Sequence, residues 1–352
     1  MNTSSLKKDN SLLDAVKAIE ESSYRIVVVI SEDGTLIGTL TDGDIRRSLL
    51  NKGDLNMKLE NVMNKNPITV DQNKSFEFIF NLMQKANVLA LPIVDKENKF
   101  IKLIHLKELS KKNNISFDKS GFSFAVIMAG GKGKRLRPLT NKLPKPMIEI
   151  DGIPLLERQI NKLSKIGIKE IYISINYLSD IIENYFKDGS NYGVKINYLK
   201  ESEQLGTAGS LSLLPKKPKG PILVMNGDVL TNSNFRSFYE FHIQSKAFMT
   251  VSAIDFQITI PYGVIREEKG FIQKLEEKPS QGFFCNAGIY AISPICLELI
   301  TKTDFFNMTD LIELCLRKKH PVAVFPIHEY WSDIGTPNDL EQARNFFINQ
   351  QK

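Results

Sequence analysis

The sequence has little of what builds covalent or metal-linked frameworks. Its 352 residues include three cysteines and four histidines, and no CxxC pair is present. An odd cysteine count without a pattern is typical of buried thiols in a reducing compartment, not of a disulfide scaffold. No two histidines stand at a metal-ligand spacing, so we expect no zinc site.

Long apolar runs and an excess of one charge are also missing. The longest aliphatic runs, such as Ile26–Ile30, have the length of a strand and cannot span a bilayer. The N-terminal residues are polar and lack the apolar core of a signal peptide. The net charge of +6 is too small to indicate nucleic-acid binding without a localised patch. We therefore expect a cytoplasmic protein with neither a membrane nor a nucleic acid as partner.

Length and composition predict two ordinary globular domains. With about 150 residues per domain as a guide, the chain has room for two. Its apolar fraction of 42% and charged fraction of 24% are typical of folded proteins. The polar stretch SKKNN at 110–114, followed by Gly121, indicates a linker. We predict one domain at residues 1–118 and a second at residues 122–352.

The first segment contains an internal repeat. A shift of the sequence against itself that places Ser11 on Ser75 aligns two copies without a gap. Each copy predicts a helix, a strand, an acidic turn, a second strand and a second helix. The aligned pairs are residues 11–16 with 75–80, 26–30 with 90–94, and 36–40 with 100–104.

This repeat resembles a cystathionine-β-synthase (CBS) motif pair, a module that often binds adenosine nucleotides and pairs with a copy of itself. The resemblance implies a homo-oligomer and a regulatory nucleotide near the start of the helix in the first copy. The second copy departs from the pattern, since Lys102 replaces Gly38 there. The alternative is that an aspartate only caps the helix. The implied nucleotide-binding residues are Thr41, Asp42 and Asp44.

The second segment begins with an apolar strand and a glycine-rich basic loop. Residues 129–140 read AGGKGKRLRPLT, and six basic but no acidic residues lie between Lys132 and Lys145. Clustered glycines let several backbone amides approach a ligand, so this loop favours a triphosphate. The GxxxxGK[ST] spacing is absent, and Leu136 replaces the third glycine of GxGxxG. The stretch has no aromatic residue, which argues against nucleic acid.

The loop and the LPKPM stretch at 143–147 together resemble the signature of sugar-1-phosphate nucleotidylyltransferases. The resemblance implies attack by a sugar-1-phosphate oxygen on the α-phosphorus of a nucleoside triphosphate, with release of pyrophosphate. Since the nucleophile is already an anion, this chemistry needs charge neutralisation and positioning, not a general base. The resemblance implies nucleotide binding by Ala129, Gly130, Gly131, Gly133, Arg135 and Lys145, the last two also catalytic.

Two aspartates occupy positions where the resemblance implies metal ligands. Asp228 ends an apolar strand, where ligands bind in α/β folds. Asp333 lies in a WSDIGTP stretch that is similar to a second ligand site of the family. Taken alone, Asp228 fits a turn or a cap equally well. The resemblance implies that Asp228, also catalytic, and Asp333 hold Mg²⁺.

Four further stretches resemble the base and sugar sites of the family. The stretch EQLGTAGS at 203–210 implies nucleotide binding by Gln204, Gly206 and Thr207. A helix entry capped by Thr207 is its structural alternative. The EEKP stretch at 276–279, taken by itself, is typical of a solvated surface. The implied sugar-phosphate residues are Gly209, Gly263, Glu277, Lys278, Asn286 and Gly288.

Alternating strand and helix patterns predict an α/β fold. We expect a CBS-domain pair followed by a Rossmann-like three-layer α/β/α nucleotide-diphospho-sugar transferase domain. Asp333 is followed by the short stretch 334–352, so we expect no β-helix extension.

The order of the two domains resembles the guanylyltransferases of legionaminic acid synthesis. This implies transfer from GTP to a hexosamine-1-phosphate, with glucosamine-1-phosphate as the first choice. Mannose- or heptose-1-phosphate and other nucleotides are alternatives. A catalytically inert nucleotide sensor is an alternative of another class, and the intact charged set argues against it. That set is Arg135, Lys145, Asp228, Lys278 and Asp333.

Overall fold

The computed structural model divides into two compact units, Met1–Phe117 and Asp118–Lys352. No helix in the described part of the chain is both long enough and apolar enough to cross a bilayer. The structure describes residues 5–22, 24–51, 54–86, 88–106, 108, 121–300 and 305–350.

The first unit contains two similar three-stranded sheets. They run β1–β2–β3 and β4–β5–β6, each with one parallel and one antiparallel pair. The predicted repeat is present, because α1 and α3 are separated along the chain by the same interval as β2 and β5. The elements are β1 Ser5–Leu6, α1 Leu12–Glu21, β2 Ile26–Ile30, β3 Leu36–Thr41, α2 Asp42–Leu50, β4 Val70–Asp71, α3 Phe76–Lys85, β5 Ala90–Val94 and β6 Phe100–His105.

The second unit carries the larger sheet and the predicted alternation of strands and helices. Its strands are β7 Ala125–Met128, β8 Glu149–Ile150, β9 Ile153–Pro154, β10 Glu170–Ile175, β11 Lys195–Lys200, β12 Ile222–Asn226, β13 Val229–Thr231, β14 Met249–Thr259, β15 Val264–Glu268, β16 Phe271–Glu276, β17 Ser280–Ile292, β18 Val322–Ile327 and β19 Trp331–Asp333. Its helices are α4 Leu155–Lys165, α5 Ser179–Phe186, α6 Gly206–Gly209, α7 Phe235–Ser245, α8 Met308–Arg317 and α9 Pro337–Gln350.

The seven-stranded sheet separates two hydrophobic cores, which makes this unit three-layered. Its order is β11–β10–β7–β12–β17–β14–β18, and β17 alone runs antiparallel to the others. Neighbouring residues of a strand point to opposite faces. On β7, Ile127 packs with α4, α5 and α7, whereas Val126 packs with α6 and α8. The carboxyl ends of β7, β10, β11 and β12 therefore meet at one edge.

Two long strands leave this sheet and form an arm, defined here as residues 255–284. β18 pairs with β14 as far as Ile254, and β12 pairs with β17 from Ile289 onward. Beyond those points β14 and β17 pair with each other, out to Thr259 opposite Ser280. The β15–β16 hairpin continues from their ends as a separate two-stranded sheet.

A histidine of α7 lies in the interior of the second unit. His242 on α7 is 1% exposed. Its Nδ1 lies 2.8 Å from Thr250 Oγ1, and its Nε2 lies 2.9 Å from Ser293 Oγ. Burial lowers the pKa of His242 from 6.5 to about 4. The folded protein therefore holds this imidazole neutral at a pH where the unfolded chain protonates it.

We expect the second unit to lose stability as pH falls from 6.5 toward 4. The unfolded state binds the proton first, which costs roughly 2–3 kcal/mol at the acid end and nothing above pH 6.5. Urea unfolding at several pH values, followed by fluorescence of the single tryptophan Trp331, measures this loss. His242→Gln should flatten the pH dependence, and the control His320→Gln should keep it. An equally steep profile in His242→Gln would contradict this assignment.

Candidate active site

One lysine lies between two carboxylates at the carboxyl edge of the sheet. Lys145 Nζ forms an ion pair with Asp228 Oδ2 and lies 3.5 Å from Asp333 Oδ1. Asp228 stands in the turn between β12 and β13, and Asp333 ends β19. β13 and β19 pair antiparallel with Val229 opposite Asp333, and Ile334 N donates to Asp228 O at 3.0 Å. Backbone pairing thus fixes the two carboxylates side by side.

A second cation completes the cluster. The Arg135 guanidinium lies so close to Gly335 that a Cβ there would be 3.1 Å from Arg135 Nη2. Burial and the Asp228 carboxylate raise the pKa of Asp333, while Lys145 and Arg135 act in the opposite direction. The structure therefore brings together Arg135, Lys145, Asp228 and Asp333, four of the residues for which the sequence predicts catalytic or metal-binding roles.

The carboxylates suit a divalent cation. Asp228 Oδ1 is buried and has no hydrogen-bond partner among the described residues. Leaving a buried carboxylate oxygen without a donor costs free energy. Two carboxylates supply the hard oxygen ligands that Mg²⁺ prefers. Asp228 and Asp333 therefore fit the predicted metal.

The glycine-rich loop is anchored at both ends and open in the middle. Ala129 N donates to Ser174 O at 2.8 Å, which continues the pairing of β7 with β10. Gly133 has φ +57°, and Thr140 Oγ1 donates to its carbonyl at 2.8 Å. A Cβ on Gly133 would lie 2.9 Å from Thr140 Cγ2, whereas one on Gly131 would meet nothing within 4 Å. Space for a ligand is therefore left beside Gly131.

Sequence reasoning missed Glu201 beside this loop. Its carboxylate accepts hydrogen bonds from Ser174 Oγ and from Leu205 N, the latter at 2.9 Å. A Cβ on Gly130 would lie 3.2 Å from Glu201 Oε1. Glu201 follows β11 directly, as Gly227 and Asp228 follow β12, so the rule that found Asp228 could have found Glu201 too.

The segment predicted to bind the nucleobase, residues 203–210, is held in place by contacts with the residues at the start of α8. Gly206 has φ +79°, and a Cβ on it would lie 2.7 Å from Phe306 O. Gly209 N donates to the same carbonyl at 2.8 Å. Thr207 Oγ1 accepts from Met308 N at 2.8 Å, so it satisfies the start of α8, and no side chain caps the N-terminus of its own helix. Gln204, directly before this anchored stretch, is exposed.

Gly209 lies on α6, and the other five predicted sugar residues fall into two groups. Gly288 N donates to Asn286 Oδ1 at 3.0 Å, and a Cβ on Gly288 would lie 2.6 Å from Asn226 Nδ2. This pair therefore lies close to the turn that carries Asp228. The other group is on the arm, where a Cβ on Gly263 would lie 3.0 Å from Glu277 Oε2, and Lys278 is exposed with φ +44°.

In the first unit the predicted regulatory residues form a capped helix start. Thr41 caps α2, and Asp44 Oδ2 accepts from Thr41 N at 2.8 Å and from Thr41 Oγ1 at 2.6 Å. Asp42 accepts from Arg46 Nε at 3.0 Å. The capping alternative is therefore present, and the nucleotide site remains a prediction.

Known families match both units of the chain. The family model described as nucleotidyl transferase matches residues 124–350, and the CBS domain model matches residues 4–51 and 59–113. These matches confirm the resemblance to a CBS pair and to sugar nucleotidylyltransferases, and with it the predicted fold class.

Curated relatives are similar along the second unit. The mannose-1-phosphate guanyltransferase of Yarrowia lipolytica is 35% identical over 233 residues, which are 64% of this chain and 64% of that protein. The Saccharomyces cerevisiae protein of the same name is 31% identical with the same coverage of both chains. The match thus spans less than two thirds of these relatives' length.

Solved structures share the fold of the second unit. A putative glucose-1-phosphate thymidylyltransferase from Bacillus anthracis has a TM-score of 0.52 at 22% identity, covering 63% of this chain and 94% of that one. HddC from Yersinia pseudotuberculosis has a TM-score of 0.50 at 26% identity, covering 63% of this chain and 98% of that one.

Substitution by alanine should affect stability differently at Gly133 and at Gly131. Gly133→Ala places a Cβ against Thr140 in a left-handed conformation, so we expect a loss of about 1–2 kcal/mol and a melting temperature lower by several degrees. Gly131→Ala meets open space and should leave the melting temperature unchanged. Thermal unfolding followed by Trp331 fluorescence compares the two. Equal melting temperatures for both variants would contradict the loop geometry described here.

Proposed function

Since the chain belongs to the nucleotidyl transferase family, we propose that it transfers a guanylyl group from GTP to a sugar-1-phosphate and releases pyrophosphate. The observation that carries this proposal is the cluster of Lys145, Asp228 and Asp333 beside the open glycine-rich loop. Oppositely charged groups at the carboxyl edge of a parallel sheet suit phosphoryl transfer, which depends on positioning and charge neutralisation.

The residues of the cluster and of the loop each neutralise part of the charge of the triphosphate. Amides of the glycine-rich loop meet the triphosphate, and Arg135 and Lys145 offset its charge. Asp228 and Asp333 would hold Mg²⁺, which when bound supplies a further positive charge at the phosphates. The sugar-phosphate oxygen attacks as an anion, so no residue has to remove a proton from it.

The base and sugar subsites complete the proposal. Gln204, held in place by the anchored Gly206 and Thr207, meets the nucleobase. Lys278 is a point charge for the sugar phosphate, and Glu277 accepts hydrogen bonds from sugar hydroxyls. Gly209, Gly263, Asn286 and Gly288 complete the sugar side.

Two sugars are candidates for the acceptor. The names of the curated relatives support GTP as donor and mannose-1-phosphate as acceptor. The order of a CBS pair before the transferase supports glucosamine-1-phosphate, since it resembles the guanylyltransferases of legionaminic acid synthesis. We keep the hexosamine as first choice, and the assay below separates the two.

The first unit is proposed to be regulatory. Its CBS pair would bind a nucleotide near Thr41, Asp42 and Asp44 and pair with a second copy. We place the reaction in the cytoplasm, and the free thiols of Cys285, Cys296 and Cys315 are in keeping with a reducing compartment.

Pyrophosphate release tests the proposed reaction. With Mg²⁺ present, we expect release from GTP and one sugar-1-phosphate, and little release from UTP, CTP, dTTP or ATP. Glucosamine-, N-acetylglucosamine-, mannose- and glucose-1-phosphate form the acceptor panel. Release with another nucleotide would overturn guanylyl transfer, and the preferred acceptor decides between hexosamine and mannose. No release from folded protein with any pair would favour the inert sensor.

Asp228→Asn should remove the metal while leaving the fold intact. The amide keeps the shape of the side chain but loses its charge, so we expect turnover to fall roughly 10²–10³-fold. Mn²⁺ binding, measured by electron paramagnetic resonance without substrate, should weaken in parallel. Asp180→Asn, an exposed aspartate on α5, is the matched control and should change neither. Unchanged Mn²⁺ affinity in Asp228→Asn would remove Asp228 from the metal site.

Lys278→Ala should weaken use of the sugar phosphate more than use of the nucleotide. Because one charged contact is lost, we expect the KM for the sugar phosphate to rise about 10-fold or more and the KM for GTP to stay nearly unchanged. Lys274→Ala removes the same charge from β16, where Lys274 pairs with Glu276, and serves as the control. If the KM for GTP rose equally, Lys278 would not belong to the sugar site.

A further inference from the structure

Helix α4 buries one polar side chain among four apolar ones. Its buried residues are Leu155, Leu156, Gln159, Ile160 and Leu163. The leucines and the isoleucine pack into the hydrophobic cores of the second unit, whereas Gln159 is an amide that is only 4% exposed. Glutamine is rarely buried, because its polar atoms then lose their hydrogen bonds to water. A buried glutamine at such a position therefore indicates a specific partner.

The partner of Gln159 is the turn that carries Asp228. Gln159 Nε2 donates to Asn226 O at 2.9 Å and to Val229 O at 2.7 Å. These two carbonyls flank Gly227 and Asp228, so a single amide group holds both ends of the turn. The nitrogen has two protons, and both are used in these bonds.

Neighbouring segments of the chain hold the middle of the same turn. Gly227 N donates to Met128 O at 2.9 Å, and Asp228 O accepts from Ile334 N at 3.0 Å. With the two bonds from Gln159, each of the four residues of the turn has a backbone group fixed by a neighbour. The backbone of Asp228 is therefore held in place, and this limits where its carboxylate can lie.

The orientation of the Gln159 amide is fixed by these contacts. If the amide were turned over, its Oε1 would face two carbonyl oxygens, which can only accept hydrogen bonds. In the orientation found, Oε1 is buried and has no hydrogen-bond partner among the described residues. An acceptor left in this way costs free energy. The two bonds to the turn are thus kept at the cost of a third polar atom.

We propose that Gln159 is a positioning residue for the metal site, whose amide holds the turn so that the Asp228 carboxylate stays beside that of Asp333. The inference rests on the proposed function, in which these two carboxylates bind Mg²⁺. Replacement of a residue that orients a metal ligand commonly lowers metal affinity about 10–100-fold. Gln159 is too deeply buried to contact a substrate, so its effect is on the affinity for the metal.

Mn²⁺ binding to the full chain, measured by electron paramagnetic resonance without substrate, tests this role. Gln159→Met keeps the approximate size of the side chain but donates no hydrogen bond, so we expect a dissociation constant for Mn²⁺ about ten-fold higher. In Gln159→Glu, burial favours the protonated carboxyl group, which can donate one bond. Its dissociation constant should lie between those of Gln159→Met and the wild type.

Ser164→Ala is the matched control on the same helix. Ser164 Oγ donates to Tyr192 O at 2.8 Å, so this variant also removes a bond from α4 to a backbone carbonyl. It should leave the affinity for Mn²⁺ unchanged. Equal losses of affinity in Ser164→Ala and Gln159→Met would overturn the proposal, since they would indicate a general loosening of α4.

An unchanged dissociation constant in both Gln159 variants would overturn the proposal too. Trp331 fluorescence verifies that the variants are folded. If Gln159→Met is not, Gln159→Glu alone should still weaken Mn²⁺ binding, and unchanged binding would reject the role of Gln159.

The assay also separates this proposal from the proposed function. A wild type that binds Mn²⁺ but releases no pyrophosphate would overturn guanylyl transfer, while weaker Mn²⁺ binding in the Gln159 variants would still support the positioning role. A wild type that binds no Mn²⁺ would overturn both the metal site and the role of Gln159.

Discussion

The candidate active site depends on one partly buried ion cluster, in which an ammonium lies between two carboxylates. Asp228 and Asp333 repel each other, and without Lys145 their negative charges would be held together at high cost. The pairing of β13 with β19 keeps the carboxylates adjacent despite this repulsion. Lys145 and Asp333 are 188 residues apart in the sequence, so the cluster exists only when the whole second unit is folded.

Close backbone approach is the second constraint on this site. A Cβ on Gly227 would lie 2.8 Å from Met128 O, and one on Gly288 would lie 2.6 Å from Asn226 Nδ2. These contacts draw the ends of β7, β12 and β17 together around Asp228. Glycine is thus required where strands converge, while Gly131 leaves open space for a ligand.

Local patterns in the sequence predicted much of this arrangement. The constant offset between the two copies predicted the repeated unit, and apolar strands followed by Gly133 or Asp228 located the loop and the turn. The role of Thr207 was not predictable, because its partner Met308 lies 101 residues further along the chain. Glu201 could have been found from its place directly after β11, but its hydrogen bond with Ser174 on another strand could not. Pairing between distant segments leaves no trace in a single sequence.

The arm is a different part of the second unit from the cluster of Lys145, Asp228 and Asp333, and this has a consequence for how the proposed activity can diversify. β14 and β17 run unbroken from the core into the arm, so its sequence can vary without disturbing the strands that hold Asp228. If Glu277 and Lys278 select the sugar as proposed, acceptor preference can evolve through substitutions and length changes there. The phosphate chemistry proposed for Lys145 and its two carboxylates would then be inherited intact by every such descendant.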